Sequence, residues 1–292
     1  MKNLNSAKQE TYEVESWRDF DDLNLKTPHC VYRGQSSSSW DLATGYERNW
    51  KVLNPMQEKE MLRRFISEAG IYSSNLPGHS DFISWLSLMQ HYGAETRLLD
   101  VTRSKYIALF FALTGMMKDG GASCAVWAFD TYASNINFYN AILRSDTTGC
   151  IDTRDEPLAS TLEEYKELGW RFANKFIVSD WEQEISKINT DDFVEKHMGR
   201  LNPLLTEGGV MEVVPQMQNE RMVAQAAEFL MPMTLRKTFM SNLSEGRYSP
   251  KVVKLEIQKK LCGDFLRKLK EMNITWQTIY PDISGLARDM NW

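Results

Sequence analysis

The run SKYIALFFALTGMM, Ser104 to Met117, is apolar on nearly every side of the helix that its composition predicts. A helix without a polar face cannot lie on a surface, so the rest of the chain must be built around it. With 292 residues, 42% of them hydrophobic and 25% charged, there is chain enough to do so with an ordinary globular composition.

The elements expected to cover it can be read from pattern. HCVYRGQ alternates as a strand ending near Gly34. NPMQEKEMLRRFISEA opens a helix with Asn54 as cap, Pro55 at its first position and Met61, Phe65 and Ala69 on one face. HSDFISWLSLMQHYG predicts a second amphipathic helix, capped by Ser80 and stopped by Gly93, with Phe82, Trp85, Leu86 and Met89 inward. CAVWAFD, KFIVSD, MEVVP, AEFLMPM and PKVVKLEIQ have strand composition, and KKLCGDFLRKLKEM follows as a late helix. No repeat or long Pro/Gly/Ser linker interrupts the chain. The expectation is one α+β domain over 1–292, with 135–205 as a helical insertion.

Several chemistries lack their signatures. The sequence holds no GxxxxGK[ST] loop, no GxGxxG after a strand, no HExxH and no GxSxG elbow. GGAS, Gly120 to Ser123, reads as a turn. Cys30, Cys124, Cys150 and Cys262 are dispersed without CxxC spacing, which points to reduced, buried thiols rather than a zinc site. A net charge of −5 argues against non-specific nucleic-acid binding. MKNLNSAKQETYEVESW has no apolar segment of signal-peptide type, and no run of apolar residues is long enough to span a bilayer. A cytoplasmic protein without membrane association is expected.

The polar residues that stand out are concentrated in QHYGAETRLLDVT, between two core helices. His91 falls in a last helical turn, where an imidazolium meets the negative end of the dipole. Arg97 and Asp100, three apart, read as an ion pair locking the connection, or as part of a cleft. Arg33 ends a buried strand beside Gly34. A planar, permanently charged guanidinium there suits a phosphate, and it equally suits a buried carboxylate. Glu228, just after Gln225, is either a surface strand residue or a buried carboxylate able to stabilise an oxocarbenium-like centre.

Together VYRGQSSSSWDLATGYER, FISWLSLMQHYGAETRLLDVTRSKYIALFFA, NERMVAQAAEFLMP and ITWQTIYPDISGLARDM resemble the FRG domain family, named for its Phe/Tyr-Arg-Gly signature. The resemblance spans most of the chain, with Ala227 standing where members usually carry Gly. The early-strand Arg, central polar block and late strand of that family are similar in layout to ADP-ribosyltransferases. The resemblance therefore implies a mixed split β-sheet core flanked by helices and NAD as co-substrate, with no metal. It implies transfer of ADP-ribose to an RNA base, a DNA base or a protein side chain, by a toxin or antiphage effector with a neutralising antitoxin partner. Arg33, Gly34 and Gln35 would hold NAD. Tyr92, Thr96 and Arg97 would border its nicotinamide or target end together with His91, and Glu228 or Gln225 would contact the ribose. Trp40 and Tyr46 are candidates for stacking a base. Two other readings are a non-catalytic sensor module for a nucleotide or nucleic acid, and a nuclease using His91 and Asp100.

Overall fold

The computed structural model describes residues 9–22, 30–50, 53–131, 134–135, 162–181, 208–246 and 249–291. These form an α+β fold around a seven-stranded mixed sheet. Its strands are β1 (Gln9–Val14), β2 (Cys30–Gln35), β3 (Leu99–Thr102), β4 (Ser123–Asp130), β5 (Val210–Val213), β6 (Ala227–Pro232) and β7 (Lys251–Gln258). Their spatial order is β1-β7-β4-β2-β3-β6-β5. β1 runs parallel to β7, and every other neighbouring pair is antiparallel.

The described helices are α1 (Trp17–Asp21), α2 (Gly45–Asn49), α3 (Pro55–Ala69), α4 (Phe82–His91), α5 (Lys105–Asp119) and α6 (Leu162–Trp181). They continue with α7 (Glu220–Ala224), α8 (Phe239–Glu245), α9 (Cys262–Glu271), α10 (Trp276–Ile279) and α11 (Ile283–Asp289). The apolar run is α5, as its composition predicts. Ser104 caps it by accepting from the Ile107 N–H, and Gly120 ends it at φ 72° in the left-handed region that suits glycine. Ile107, Ala108, Leu109, Phe110, Ala112, Leu113 and Met116 on this helix are buried.

Two groups of helices lie on one face of the sheet. α5 and α9 cover β4 and β7 through Leu113, Val126, Leu255 and Phe265. α3, α4 and α6 cover β5 and β6 through Leu62, Leu86, Phe176, Met211 and Met231. The opposite face carries a smaller core of Val31, Leu99, Trp127, Phe129, Leu230 and Phe239.

Three expectations change. The α4 cap is Asp81, whose carboxylate accepts from the Ser84 N–H, rather than Ser80. KFIVSD is not a strand but the end of α6, whose Phe172, Phe176, Ala173, Ile177 and Trp181 recur every four residues and bury one stripe in the core. The described part of the expected helical insertion is helix and packs on the core through these residues, while most of 135–205 lies outside the described residues. The polar N-terminal stretch contains β1, which composition alone does not suggest. Cys30, Cys124 and Cys262 are free and buried, and Cys150 lies outside the described residues. Among the described residues, no helix is long and apolar enough to cross a membrane.

Candidate functional site

The sheet is narrowest between β2 and β3, which share the single pair Tyr32–Thr102. Past that pair the Asp100 carbonyl accepts from the Arg33 side chain, Nη1 to O 2.6 Å, in the place a backbone N–H would hold in a continued ladder. The same Nη1 is 3.9 Å from Asp100 Oδ2, and the Arg33 side chain is 17% exposed. Burial pulls the guanidinium below its ordinary pKa, and Asp100 opposes that shift. Among the described residues Arg33 Nε is buried without a hydrogen-bond partner. Asp100 is oriented from its other side by a relay. The Thr96 hydroxyl donates to Gln90 Oε1, and Gln90 Nε2 donates to Asp100 Oδ1 at 2.8 Å.

Above this seam, where the two helical groups part, lies a cavity of about 400 Å³. That is within the size range of small-molecule sites, about 300–1,000 Å³. Phe111 of α5, Phe229 of β6 and Tyr280 supply aromatic wall, while Arg33, Asp100 and Arg221 supply charge. Asn219 caps the short α7, accepting from the Met222 N–H, and so fixes the turn that carries Arg221. The Arg221 guanidinium carbon lies 4.2 Å from the Tyr280 ring centroid, and Nη2 is 3.1 Å from the hydroxyl it donates to. Gln225 ties the seam to the C-terminal segment. Its carbonyl accepts from the Thr102 hydroxyl at 2.7 Å, and its Nε2 donates to the Ile279 carbonyl at 3.3 Å. The turn into β6 passes through Ala226 at φ 45°, unusual for a residue with a side chain.

The residues singled out in sequence are distributed over three places. Arg33, Gly34, His91 and Gln225 line the cavity. His91 sits at its rim with Tyr92, the two rings edge to face at 4.9 Å and Tyr92 71% exposed. Burial, with Arg221 second, pushes the His91 imidazole below its ordinary pKa and favours the neutral ring. Thr96 and Arg97 are fully buried. Thr96 acts through Gln90, as above. Arg97 does not pair with Asp100. Its Nε contacts both carboxylate oxygens of Glu58, at 3.0 and 2.9 Å, and Trp181 Nε1 donates to the same carboxylate at 3.1 Å.

Gln35 and Glu228 lie on the other face. Tyr32 pairs with Thr102 and Thr102 with Ala227, so alternation turns their neighbours Arg33, Val101 and Glu228 the opposite way. Gln35 accepts from Trp127 Nε1 at 2.6 Å and donates to the Asp41 carbonyl at 3.1 Å. Glu228 is 2% exposed, with Arg103 Nε 3.4 Å from Oε1, and is not among the cavity-lining residues. Arg33 reaches round the seam to the cavity. Trp40 is exposed, and Tyr46 is buried with its hydroxyl donating to the Asn54 carbonyl.

Gln90, Arg221, Phe111 and Tyr280 were not singled out as site residues in the sequence. The four-residue spacing of Arg221 and Gln225 was the available signal, since it puts both on one helical face.

Fold and site together define an α+β protein with a cationic, aromatic-walled cavity at a seam in its sheet. The FRG domain model matches residues 28–120, the span that runs from β2 through α5. No curated protein and no solved structure matches the chain. The matched span holds Arg33, Gln90, His91 and Asp100, whereas Arg221, Gln225 and Tyr280 come from the chain beyond it.

Proposed function

We propose that the cavity binds NAD and that the protein transfers ADP-ribose from it to a macromolecular acceptor, an RNA or DNA base or a protein side chain. The observation that carries this reading is the cavity itself: two guanidiniums and one carboxylate among aromatic walls suit a ligand with phosphates and flat rings. The resemblance to ADP-ribosyltransferase layout supplies the reaction class and the role of a restrained toxin or antiphage effector.

In such a reaction the bond between ribose C1′ and the nicotinamide nitrogen breaks, and its electron pair leaves with neutral nicotinamide. An acceptor nucleophile then bonds to C1′ and gives up its proton to solvent or a neighbouring base. The protein's contribution is to position the reactants and stabilise a positive ribosyl centre. The carboxylate facing the cavity is Asp100, which Gln90 holds by its side-chain amide. Asp100 takes the role for which resemblance offers Glu228. His91 at the rim, inclined to the neutral form, is placed to accept the acceptor's proton.

Incubation with labelled NAD and, separately, total RNA, DNA and lysate protein should put label on one class and release nicotinamide. Asp100→Asn should lower transfer about 100-fold, with NAD affinity changed only a few-fold. Glu228→Gln, if it remains folded, should lower transfer far less. Absence of both label and nicotinamide release from the folded protein would remove the transferase reading. The remaining reading is a nucleotide-sensing module, favoured by the engagement of Asp100 with Arg33 and Gln90, which makes it a brace of the cavity wall.

A further inference from the structure

We propose that the phosphate of the bound nucleotide is held by Arg221, on the wall supplied by α7 and the C-terminal segment, and not chiefly by the signature Arg33. This deepens the nucleotide reading of the cavity and rests on it. It does not depend on transfer chemistry.

The two guanidiniums differ in what already occupies them. Arg33 spends Nη1 on the Asp100 carbonyl at 2.6 Å and has the Asp100 carboxylate 3.9 Å away, so its charge is partly balanced and its position serves the sheet. Arg221 is partly buried, and among the described residues its hydrogen-bond acceptor is the neutral Tyr280 hydroxyl, with no carboxylate at ion-pair distance. Asp282, which feels the Arg221 charge, is engaged as the α11 cap, accepting from the Ser284 N–H at 2.7 Å and the Gly285 N–H at 3.1 Å. The Tyr280 ring under the guanidinium fixes its plane while leaving the rest of the fork available. A partly desolvated cation with no carboxylate at ion-pair distance among the described residues is costly, and an anionic ligand offsets that cost. The cavity's charged lining is Arg33, Asp100 and Arg221, with Tyr32, His91 and Tyr280 as its other titratable side chains, so a phosphate entering at Arg221 also approaches the His91 ring. The same ring loses part of its proton affinity to Arg221, and an anion between them returns it.

The test compares ADP with adenosine by calorimetry. ADP should bind the full-length protein about 10- to 100-fold more tightly, the size of one charge-assisted bidentate contact. Arg221→Gln should bring the two within about threefold, with Arg221→Lys intermediate. In the unmodified protein, ADP should raise the His91 titration midpoint read by NMR, and adenosine should not; this readout needs no variant to fold. An unchanged ADP preference in folded Arg221→Gln, or a His91 midpoint indifferent to ADP, would overturn the assignment. So would a single-stranded RNA oligonucleotide that binds through Arg221 while ADP does not bind. Failure of both ADP and adenosine to bind removes the nucleotide reading as well. Absence of NAD cleavage with an Arg221-dependent ADP preference removes only the transferase.

Discussion

Arg97→Met with Glu58 left in place is expected to lower unfolding free energy by about 3–5 kcal/mol, the usual consequence of stranding one partner of a buried ion pair. Arg97 and Glu58 are 0% and 1% exposed, so water cannot replace the lost guanidinium. The effect reaches further than one contact. Glu58 lies on α3, Arg97 leads into β3, and Trp181 of α6 donates to the same carboxylate, so three segments meet at one charge. Urea unfolding should show a lower midpoint at nearly unchanged slope. The double change Arg97→Met with Glu58→Leu should recover much of the loss, because no charge is then left buried. A single-variant loss below about 1 kcal/mol would refute this role. The prediction also guards against misreading a functional assay. An inactive Arg97 variant would report a failed fold, although the residue stands in the most distinctive block of the sequence.

Gly34→Ala is expected to cost about 3 kcal/mol or more, at or beyond the upper end of ordinary overpacking. A Cβ there would lie 2.0 Å from the Ala108 carbonyl oxygen and 2.8 Å from the Ala112 nitrogen, both backbone atoms of α5. Rotation of a side chain cannot relieve that contact, so α5 would have to lift from β2. Gly263→Ala is a suitable comparison, because a Cβ there meets nothing within 4 Å and a helical Gly→Ala change gains about 0.5–1 kcal/mol. Thermal unfolding followed by circular dichroism should separate the two variants clearly. Coincident melting curves would show that α5 yields at no cost. The glycine of the signature is thus required first by helix-on-sheet approach. Its place on the cavity wall comes with that approach.

Local pattern carried most of the fold. The cap of α3, the apolar patterning of α3, α4 and α5, the alternation of β2 and β7 and the apolar run of β4 depend on residues a few positions apart, which is what a sequence displays directly. KFIVSD misled because six residues have the composition of a strand. The four-residue recurrence from Phe172 to Trp181 needed a longer window. β1 was hidden by Gln9, Glu10 and Glu13, polar residues natural to an edge strand. The site was half legible. His91 and Gln225 stand at helix ends, where side chains leave the core, and both line the cavity with Arg33 of β2. The partner of Arg97 was not legible, since Glu58 lies 39 residues earlier and nothing local favours it over Asp100. Nor was the meeting of Arg221 with Tyr280, 59 residues apart, which exists only once α7 and the C-terminal segment have docked.

The parallel register of β1 with β7 joins Gln9 to Val252 and Val14 to Ile257. On a ribosome the first strand made is therefore among the last to find its neighbour. Its hydrogen-bonding edge must wait through the synthesis of every other strand in the sheet. Glu10 and Glu13 then have a use before folding as well as after it: like charges on the waiting segments of adjacent nascent chains oppose their pairing with one another. Once β7 arrives, Lys251 meets Glu10 at 3.0 Å, and the charge that kept the strand apart helps to fasten it.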